Sequence, residues 1–499
     1  MQTNILEYMD KSVAACPDKV AFSDGDCRLT FRELGEQSDA VGTYLAAVGI
    51  GKAPVIVFMG RHPHTIAAFL GVVRGGCFYV PVDAEMPRIR IMHILENLAA
   101  PLMICDERTQ ALAKELAFSG RIVLYQDISQ TTADEAALAG IAARAIDSDP
   151  VYIVHTSGST GVPKGVVACH RSVIDYIEQL SPVLGINGDT IFGNQTPLYF
   201  DACLKEIYPT LKYGATTYLI PPELFMQPVR LIEFLNDYRI NTICWVVSAM
   251  TMISALGAFD AAIPEYLVSV NFGSEVFPIR EFNKWRAALP DARFVNLYGP
   301  TECTGMCCYF VATDLPADAK VIPIGRPFRN TEVLVLGEDG ERVAIGESGE
   351  LCIRGASLTL GYYNDFEKTA AAFVQNPLNR HYPEPIYRSG DMGYLGEDGE
   401  LYFCSRRDHQ IKHMGHRIEL GEIEAAVLQV AEVAMAACVY DGEKNKIRLF
   451  YSGQISAKEV TAKLREWLPR YMLPNAVRQL EALPLTANGK IDRACLVQL

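Results

Sequence analysis

Thr156 to Gly165 reads T-S-G-S-T-G-V-P-K-G, a run whose residue types could hold an anion. Gly158, Gly161 and Gly165 let the backbone turn its N–H groups inward. Thr156, Ser157, Ser159 and Thr160 add hydroxyl donors and Lys164 adds a positive charge, so the run could wrap a polyphosphate. The spacing is not G-x-x-x-x-G-K-[ST], because a proline precedes the lysine and a glycine follows it, which sets a P-loop ATPase aside. A flexible Ser/Gly linker explains the run less well, since linkers seldom carry an embedded Pro-Lys or follow a buried strand. A second candidate is Asp201. In Tyr199-Phe200-Asp201-Ala202 an acid follows two aromatics, where an uncompensated charge is costly, so a cationic partner is expected. That partner is either Lys205, one helical turn away, or a ligand.

The elements that must position these residues read as alternating strands and helices. Val151-Tyr152-Ile153-Val154 is a β-branched, apolar run that delivers the glycine-rich loop from a buried strand. Before it come strand-like Val55 to Phe58, helix-like Thr65 to Val73, strand-like Cys77 to Val82, helix-like Arg88 to Leu98 and strand-like Pro101 to Cys105. After it, Leu231 to Tyr238, Ala249 to Phe259 and Ile279 to Leu289 read as helices between strands at Asn241 to Val247, Leu267 to Phe272 and Arg293 to Leu297. Such alternation predicts parallel sheets covered by helices. Beyond about residue 331, Asp339-Gly340 and Asp398-Gly399 mark hairpins of a smaller β subdomain. Ser129 to Asp149 is Ala-rich and polar and reads as a surface connection. A boundary falls near Asp408: Leu420, Ile423, Val427 and Val430 then recur at helical spacing, strands follow at Val433 to Tyr440 and Lys446 to Tyr451, and a helix at Ala457 to Leu468. The expectation is an α/β chain with a large N-terminal domain, residues 1–407, and a small α+β C-terminal domain, residues 408–499.

Composition narrows the function classes. The chain has 499 residues, 49% of them apolar, which exceeds one ordinary core. Lys and Arg number 45 against 59 Asp and Glu, a net charge of −14, which argues against a general nucleic-acid or acidic-membrane binder. The 14 cysteines follow no disulfide framework, the opening residues lack the regions of a signal peptide, and no apolar stretch is long enough to cross a bilayer. A cytoplasmic setting with reduced thiols and no membrane insertion is expected. Cys303, Cys307 and Cys308 cluster without a companion pair at metal spacing and read as buried apolar cysteines rather than a zinc site.

Five further motifs stand in order along the chain. They are N-L-Y-G-P-T-E at 296–302, Y-R-S-G-D at 387–391, S-R-R-D-H-Q-I-K at 405–412, R-I-E-L-G-E-I-E at 417–424 and N-G-K-I-D-R at 488–493. With the glycine-rich loop they resemble the adenylate-forming superfamily of acyl-CoA synthetases, luciferases and amino-acid adenylation domains. The resemblance spans nearly the whole chain. It looks closest to adenylation domains of non-ribosomal peptide synthetases, and among those to free-standing enzymes such as D-alanine:D-alanyl carrier protein ligase.

The resemblance implies ATP and Mg2+ as cofactors and assigns roles by position. Lys490 would contact the substrate carboxylate and α-phosphate and stabilise the transition state, a charge that joining two anions requires. Thr156 to Gly161 and Lys164 would cradle the phosphates, with Glu302, beside Gly299 and Thr301, holding Mg2+ through hard carboxylate oxygen. Tyr298 and Gly273-Ser274-Glu275 would flank the adenine, and Asp391 would accept both ribose hydroxyls with Arg406 nearby. Asp201 would bind the ammonium of an α-amino acid, which acyl-CoA synthetases generally do not need. Ala202, Lys205, Trp245, Val270, Phe272, Leu297, Gly305 and Met306 would line the substrate pocket. Large Trp245 and Phe272 would favour a small side chain, and Lys205 an acidic one unless it pairs with Glu206 or Asp201.

By the same resemblance the small domain is a mobile lid hinged at Asp408. After the first half-reaction it would replace Lys490 with the face bearing Lys412 and Gly415 and admit a pantetheine thiol. No carrier-protein serine follows Lys490, so a separate phosphopantetheinylated carrier protein is expected. Ser405 departs from the glycine usual at its position. The rival readings are an acyl-CoA or aryl-acid ligase using free coenzyme A, against which Asp201 speaks, and a non-catalytic nucleotide-binding protein, against which Lys164, Glu302, Asp391 and Lys490 together speak.

Overall fold

Short apolar runs with every residue buried, such as Pro54–Phe58 and Thr242–Val246, can only be central strands covered on both faces. The structure, a computed structural model, describes residues 2–158, 163–316, 318–407, 410–442, 444–484 and 491–499, with Ala494 by its backbone alone. The chain divides into two compact units.

The larger unit comprises residues 1–84, 99–154 and 165–407. One six-stranded sheet runs Arg121–Leu124, Leu102–Cys105, Pro54–Phe58, Phe78–Pro81, Pro150–Thr156, Lys164–Cys169, and its first four strands pair in parallel. A nine-stranded sheet has five parallel strands at its centre: Arg293–Tyr298, Ser269–Gly273, Thr242–Val246, Ile191–Asn194 and Thr216–Leu219. Strand Val20–Ser23 extends this parallel run, and antiparallel Arg28–Thr30 closes its edge. Alternation along each central strand feeds two separate apolar clusters. One contains Tyr176, Cys203, Cys244, Val295, Leu297 and Met306, the other Trp245, Val270, Phe272, Phe282 and Phe294. A five-stranded antiparallel sheet follows from Thr331 to Arg406, with Asp339-Gly340 in a turn where Gly340 takes φ +82°, as expected of a hairpin. The connection at 129–149 carries a short helix, Glu135–Ala142, capped by Asp134 and burying only Leu138.

The smaller unit comprises residues 85–98, 155–164 and 408–499. Strands Val433–Asp441, Lys446–Gly453 and Ala476–Gln479 form its sheet. Helix Leu420–Leu428 turns Leu420, Ile423 and Val427 inward, and Val430 just beyond it joins the same apolar cluster. Helix Ala457–Trp467 starts at a Ser456–Glu459 capping box and buries Val460 and Leu464, one turn apart. The expected hinge residue, Asp408, lies outside the described residues. Among the described residues no helix is long and apolar enough to cross a membrane.

Candidate active site

In the larger unit the Y-R-S-G-D motif occupies the long strand Pro385–Leu395, whose register sets Asp391 directly opposite Arg406. Asp391 is buried and multiply held. Arg406 Nη1 donates to Oδ1 at 2.5 Å, the Tyr298 hydroxyl donates to Oδ2 at 2.6 Å, and its own backbone N–H donates to Ser389 Oγ at 3.0 Å. A buried carboxylate is tolerable only with such partners, and here they come from two sheets. Tyr298 therefore meets Asp391 through its hydroxyl while its ring joins an apolar cluster with Cys303, Cys307 and Cys308. Burial, then the charge of Asp391, raises the Tyr298 phenol well above its ordinary range, so it acts as a proton donor in the bond.

After Tyr298 the chain doubles back tightly. Cys307 N–H donates to the Tyr298 carbonyl at 2.7 Å, and a Cβ on Gly299 would stand 2.5 Å from the Gly305 carbonyl oxygen, so only glycine fits there. This turn buries Glu302, whose Oε1 accepts from the Tyr362 hydroxyl at 2.8 Å. It also brings the Thr301 hydroxyl onto Asp201. Asp201 opens a 3-10 turn, Asp201–Cys203, and stays partly exposed while the next ten residues are buried. Burial pushes its carboxyl upward, the Thr301 hydrogen bond and Lys205 pull it back, and the net direction is up.

Behind Asp201 lies a buried charged layer. Lys205 is 1% exposed and Glu206 fully enclosed on helix Leu204–Tyr213. Asn194 Nδ2 donates to Glu206 Oε2 at 3.2 Å, and Arg61 donates to the Asn194 Oδ1 at 2.6 Å as well as to the carbonyls of Asn194 and Ile220. Burial lifts Glu206 to about 8 against the pull of Lys205, Asn194 and Arg61, and burial lowers Arg61 to about 10.

Leu297, Gly305 and Met306 gather on this side. A Cβ on Gly305 would touch the Tyr176 ring, and Leu297 and Met306 share the apolar cluster with Tyr176. Buried Ala202 follows Asp201 directly. Trp245, Val270 and Phe272 are not brought here, which corrects the expected pocket. They point into the other cluster, where Trp245 meets Phe225 edge-on at 5.3 Å and donates to the Gly193 carbonyl at 2.7 Å. The reason is the two-residue period of a strand: Gly273 pairs with Leu297, so Asn271 and Gly273 share its face and Val270 and Phe272 take the opposite one. The residues that sequence reasoning missed are Cys244 and Asn271, in contact through Asn271 Nδ2 at 3.6 Å, with Cys244 feeling the charges of Glu206 and Lys205. Counting back two from Gly273 reaches Asn271, whose partner on the neighbouring strand is Cys244. The size argument built on Trp245 and Phe272 falls with their placement.

Gly273 ends its strand so close to the Leu297 carbonyl that a Cβ would stand 2.3 Å from it, and Ser274 follows with φ +70°. Glu275 turns back to accept the Ser248 N–H at 2.8 Å, at the start of helix Val247–Ala255.

The smaller unit holds the described part of the glycine-rich loop. Ser157 Oγ donates to the Arg417 carbonyl at 2.8 Å, Gly158 N–H donates to Glu422 Oε2 at 3.2 Å, and Lys164 Nζ stands 3.8 Å from Glu419 Oε1. Arg90 Nη1 binds the other Glu422 oxygen at 2.6 Å. The Thr156 hydroxyl is buried without a hydrogen-bond partner among the described residues. Lys412 sits on the hairpin Gln410–His413 and His416–Glu419, turned by Met414 and Gly415 at φ +52° and +78°. Ser159, Thr160, Gly161 and Lys490 lie outside the described residues.

With this geometry in hand, the comparisons are consistent. Residues 9–363 match the family described as AMP-binding enzyme, and residues 422–490 its C-terminal domain. Tyrocidine synthase 1 of Brevibacillus parabrevis is 30% identical over 500 residues, 99% of this chain and 45% of that protein. The chain spans less than half the length of such curated synthases. A four-domain nonribosomal peptide synthetase bound to AMP and glycine superposes with a TM-score of 0.72 at 28% identity, covering 99% of this chain and 36% of that one. The o-succinylbenzoate CoA synthetase of Bacillus subtilis shares the fold at TM-score 0.84 and 21% identity, covering 100% and 99%. The chain belongs to the AMP-binding enzyme family.

Proposed function

We propose that this protein activates an α-amino acid with ATP and passes the aminoacyl group to the phosphopantetheine thiol of a carrier protein. The observation that carries the amino-acid part is Asp201: a carboxyl group on a half-buried residue that opens a buried turn, oriented by the Thr301 hydroxyl. An ammonium supplies the opposite charge that such a carboxylate lacks outside the protein, and Lys205 makes no ion pair with it within 4 Å among the described residues. The likeness to peptide synthetases supports the carrier part.

Asp391, braced by Tyr298 and Arg406, has the acceptor capacity for two ribose hydroxyls. Glu302 fits a magnesium ion: it is a buried carboxylate with a hydroxyl neighbour at Thr301, a hard-oxygen set fixed in orientation by Tyr362. Bound there, Mg2+ would screen the charge of the ATP phosphates. Lys164 and Lys490 are proposed to meet the phosphates and the developing charge at the α-phosphorus. The side chain of the substrate would lie against Cys244, Asn271, Leu297 and Met306, with Lys205 offering a charge to an acidic group.

The test is substrate-dependent pyrophosphate exchange across L- and D-amino acids, including small and acidic ones, beside amine-lacking acids. Exchange with one amino acid supports the reading. An amine-lacking acid that outcompetes every amino acid, with coenzyme A as acceptor, would replace it by the acid:CoA ligase.

A further inference from the structure

Away from that chemistry, Cys27, His62 and His64 form the one group of three metal-ligand side chains, among the described residues, whose donor atoms all lie within 4.8 Å of one another. Cys27 stands just before strand Arg28–Thr30, in the turn that follows Val20–Ser23. His62 caps helix Pro63–Arg74, and His64 sits in its first turn. Asp24, in the same turn as Cys27, lies outside that group of three but sets a carboxylate oxygen 3.6 Å from His62 Nε2. We propose that Cys27, His62 and His64, with Asp24 beside His62, form a binding site for a zinc ion that staples the first hairpin of the sheet to the start of this helix.

Distances favour this ion. Zinc bonds of about 2.3 Å to sulfur and 2.0–2.1 Å to nitrogen or oxygen, set tetrahedrally, place sulfur and nitrogen about 3.6 Å apart and nitrogen and oxygen about 3.3 Å apart. Cys27 Sγ lies 3.8 Å from His64 Nε2, and His62 Nε2 lies 3.6 Å from Asp24 Oδ2. The sulfur–nitrogen edge of the cluster is thus within a few tenths of an ångström of its bound length, and the Asp24 carboxylate is close to reach of the same ion.

The surroundings prepare the ligands. His64 Nδ1 is 2.9 Å from Gln37 Oε1, which fixes the tautomer that presents Nε2 to a metal, and the Tyr125 hydroxyl holds the same glutamine oxygen at 2.6 Å. Burial lowers the pKa of both histidines, against the pull of Asp24. Arg108, beside Asp106, is the opposing charge that His62 feels. Coordination through His62 Nε2 moves its proton to Nδ1 and gives up the 3.2 Å bond that Nδ1 accepts from the His64 N–H, one weak cap exchanged for a metal bond. A thiolate and two imidazoles select a borderline metal, in contrast to the oxygen donors around Glu302.

The site bears on the substrate side through Arg61. It directly precedes His62, and its guanidinium holds the carbonyl ends of strands Ile191–Asn194 and Thr216–Leu219 next to Glu206. The staple would fix the segment from which Arg61 reaches.

Cobalt and zinc titrations of the chelator-treated, full-length protein test this. Wild type should take up cobalt one-to-one with a thiolate-to-cobalt charge-transfer band, lose it to zinc, and melt higher with zinc present. Cys27→Ser should remove that band and weaken zinc by about a hundredfold or more, whereas substitution of the exposed Cys404 by serine leaves both unchanged. Asp24→Asn and His64→Gln, milder changes at partly exposed positions, should each weaken zinc by about tenfold or more while circular dichroism reports an intact fold. A band that persists in Cys27→Ser, zinc affinity unchanged in both Asp24→Asn and His64→Gln, or wild-type protein that takes up no zinc at micromolar concentration would each overturn the site.

Discussion

Asp201 and Glu206 lie five residues apart and illustrate two fates of a carboxyl group. Asp201 is half-buried, and burial raises its pKa while Thr301 and Lys205 restrain the rise. Only its ionised form attracts an ammonium, so kcat/KM for the amino acid should climb with pH as Asp201 loses its proton. Asp201→Asn should lower that kcat/KM by about a hundredfold, abolish the climb and leave the KM for ATP within a factor of about two. Pyrophosphate exchange measured from acid to neutral pH reads all three quantities, and an unaltered pH profile in the variant would remove Asp201 from substrate binding. Glu206 is fully enclosed. Its folded pKa, raised by burial to about 8, means that the native chain keeps a proton which the unfolded chain releases. Its contribution to folding is therefore largest below the ordinary glutamate pKa and is lost as pH rises to about 8. Glu206→Gln cannot ionise, so its stability relative to wild type should improve by an order of a few kcal/mol between pH 5 and 9. Urea denaturation midpoints across that range check the slope, and a constant difference would show that Glu206 is ionised throughout.

Elements decide what could be read in advance. Helix Arg88–Leu98 and strand Val55 to Phe58 were legible because their patterns are local, and the motif residues Tyr298, Asp391 and Arg406 converge as the sequence suggests. Trp245, Val270 and Phe272 were misplaced because one residue of strand register exchanges the faces of a sheet, and only pairing with Leu297 fixes that register. Cys27 and the histidines were invisible for another reason: the turn after Val20–Ser23 meets the start of Pro63–Arg74 only once the sheet and helix are packed. Element packing also supplies a competitor for phosphate. Glu422, from the first turn of helix Leu420–Leu428, accepts the Gly158 N–H that an anion would use, and burial raises its pKa although Arg90 opposes this. Glu422→Gln keeps the shape and removes the charge, and charge-assisted bonds are about twice as strong as neutral ones. The variant should bind ATP about three- to tenfold more tightly in calorimetry. Equal or weaker binding would mean that the carboxylate does not compete.

At the scale of the whole molecule, the proposed function asks one chain to serve two reactions with opposite needs. Adenylation joins two anions and demands positive charge at the α-phosphorus, whereas thioester formation demands that a pantetheine thiol reach the finished adenylate. Asp391, Glu302 and Asp201 belong to the larger unit and are proposed to bear on both reactions, because both would involve the same nucleotide and acid. Lys490 is proposed to bear on the first alone. Removing its charge should then separate the reactions rather than weaken them together: Lys490→Ala should lose about a hundredfold or more of amino-acid-dependent pyrophosphate exchange. The same protein, supplied with synthetic aminoacyl-adenylate and holo carrier protein, should form thioester at a rate within about threefold of wild type, because the charge is no longer needed once the anhydride exists. Asp201→Asn, by contrast, should slow both, since the amine must be held in each. Equal losses in the two assays for Lys490→Ala would assign that lysine to folding or to general nucleotide binding, and exchange at the wild-type rate would remove it from the reaction altogether.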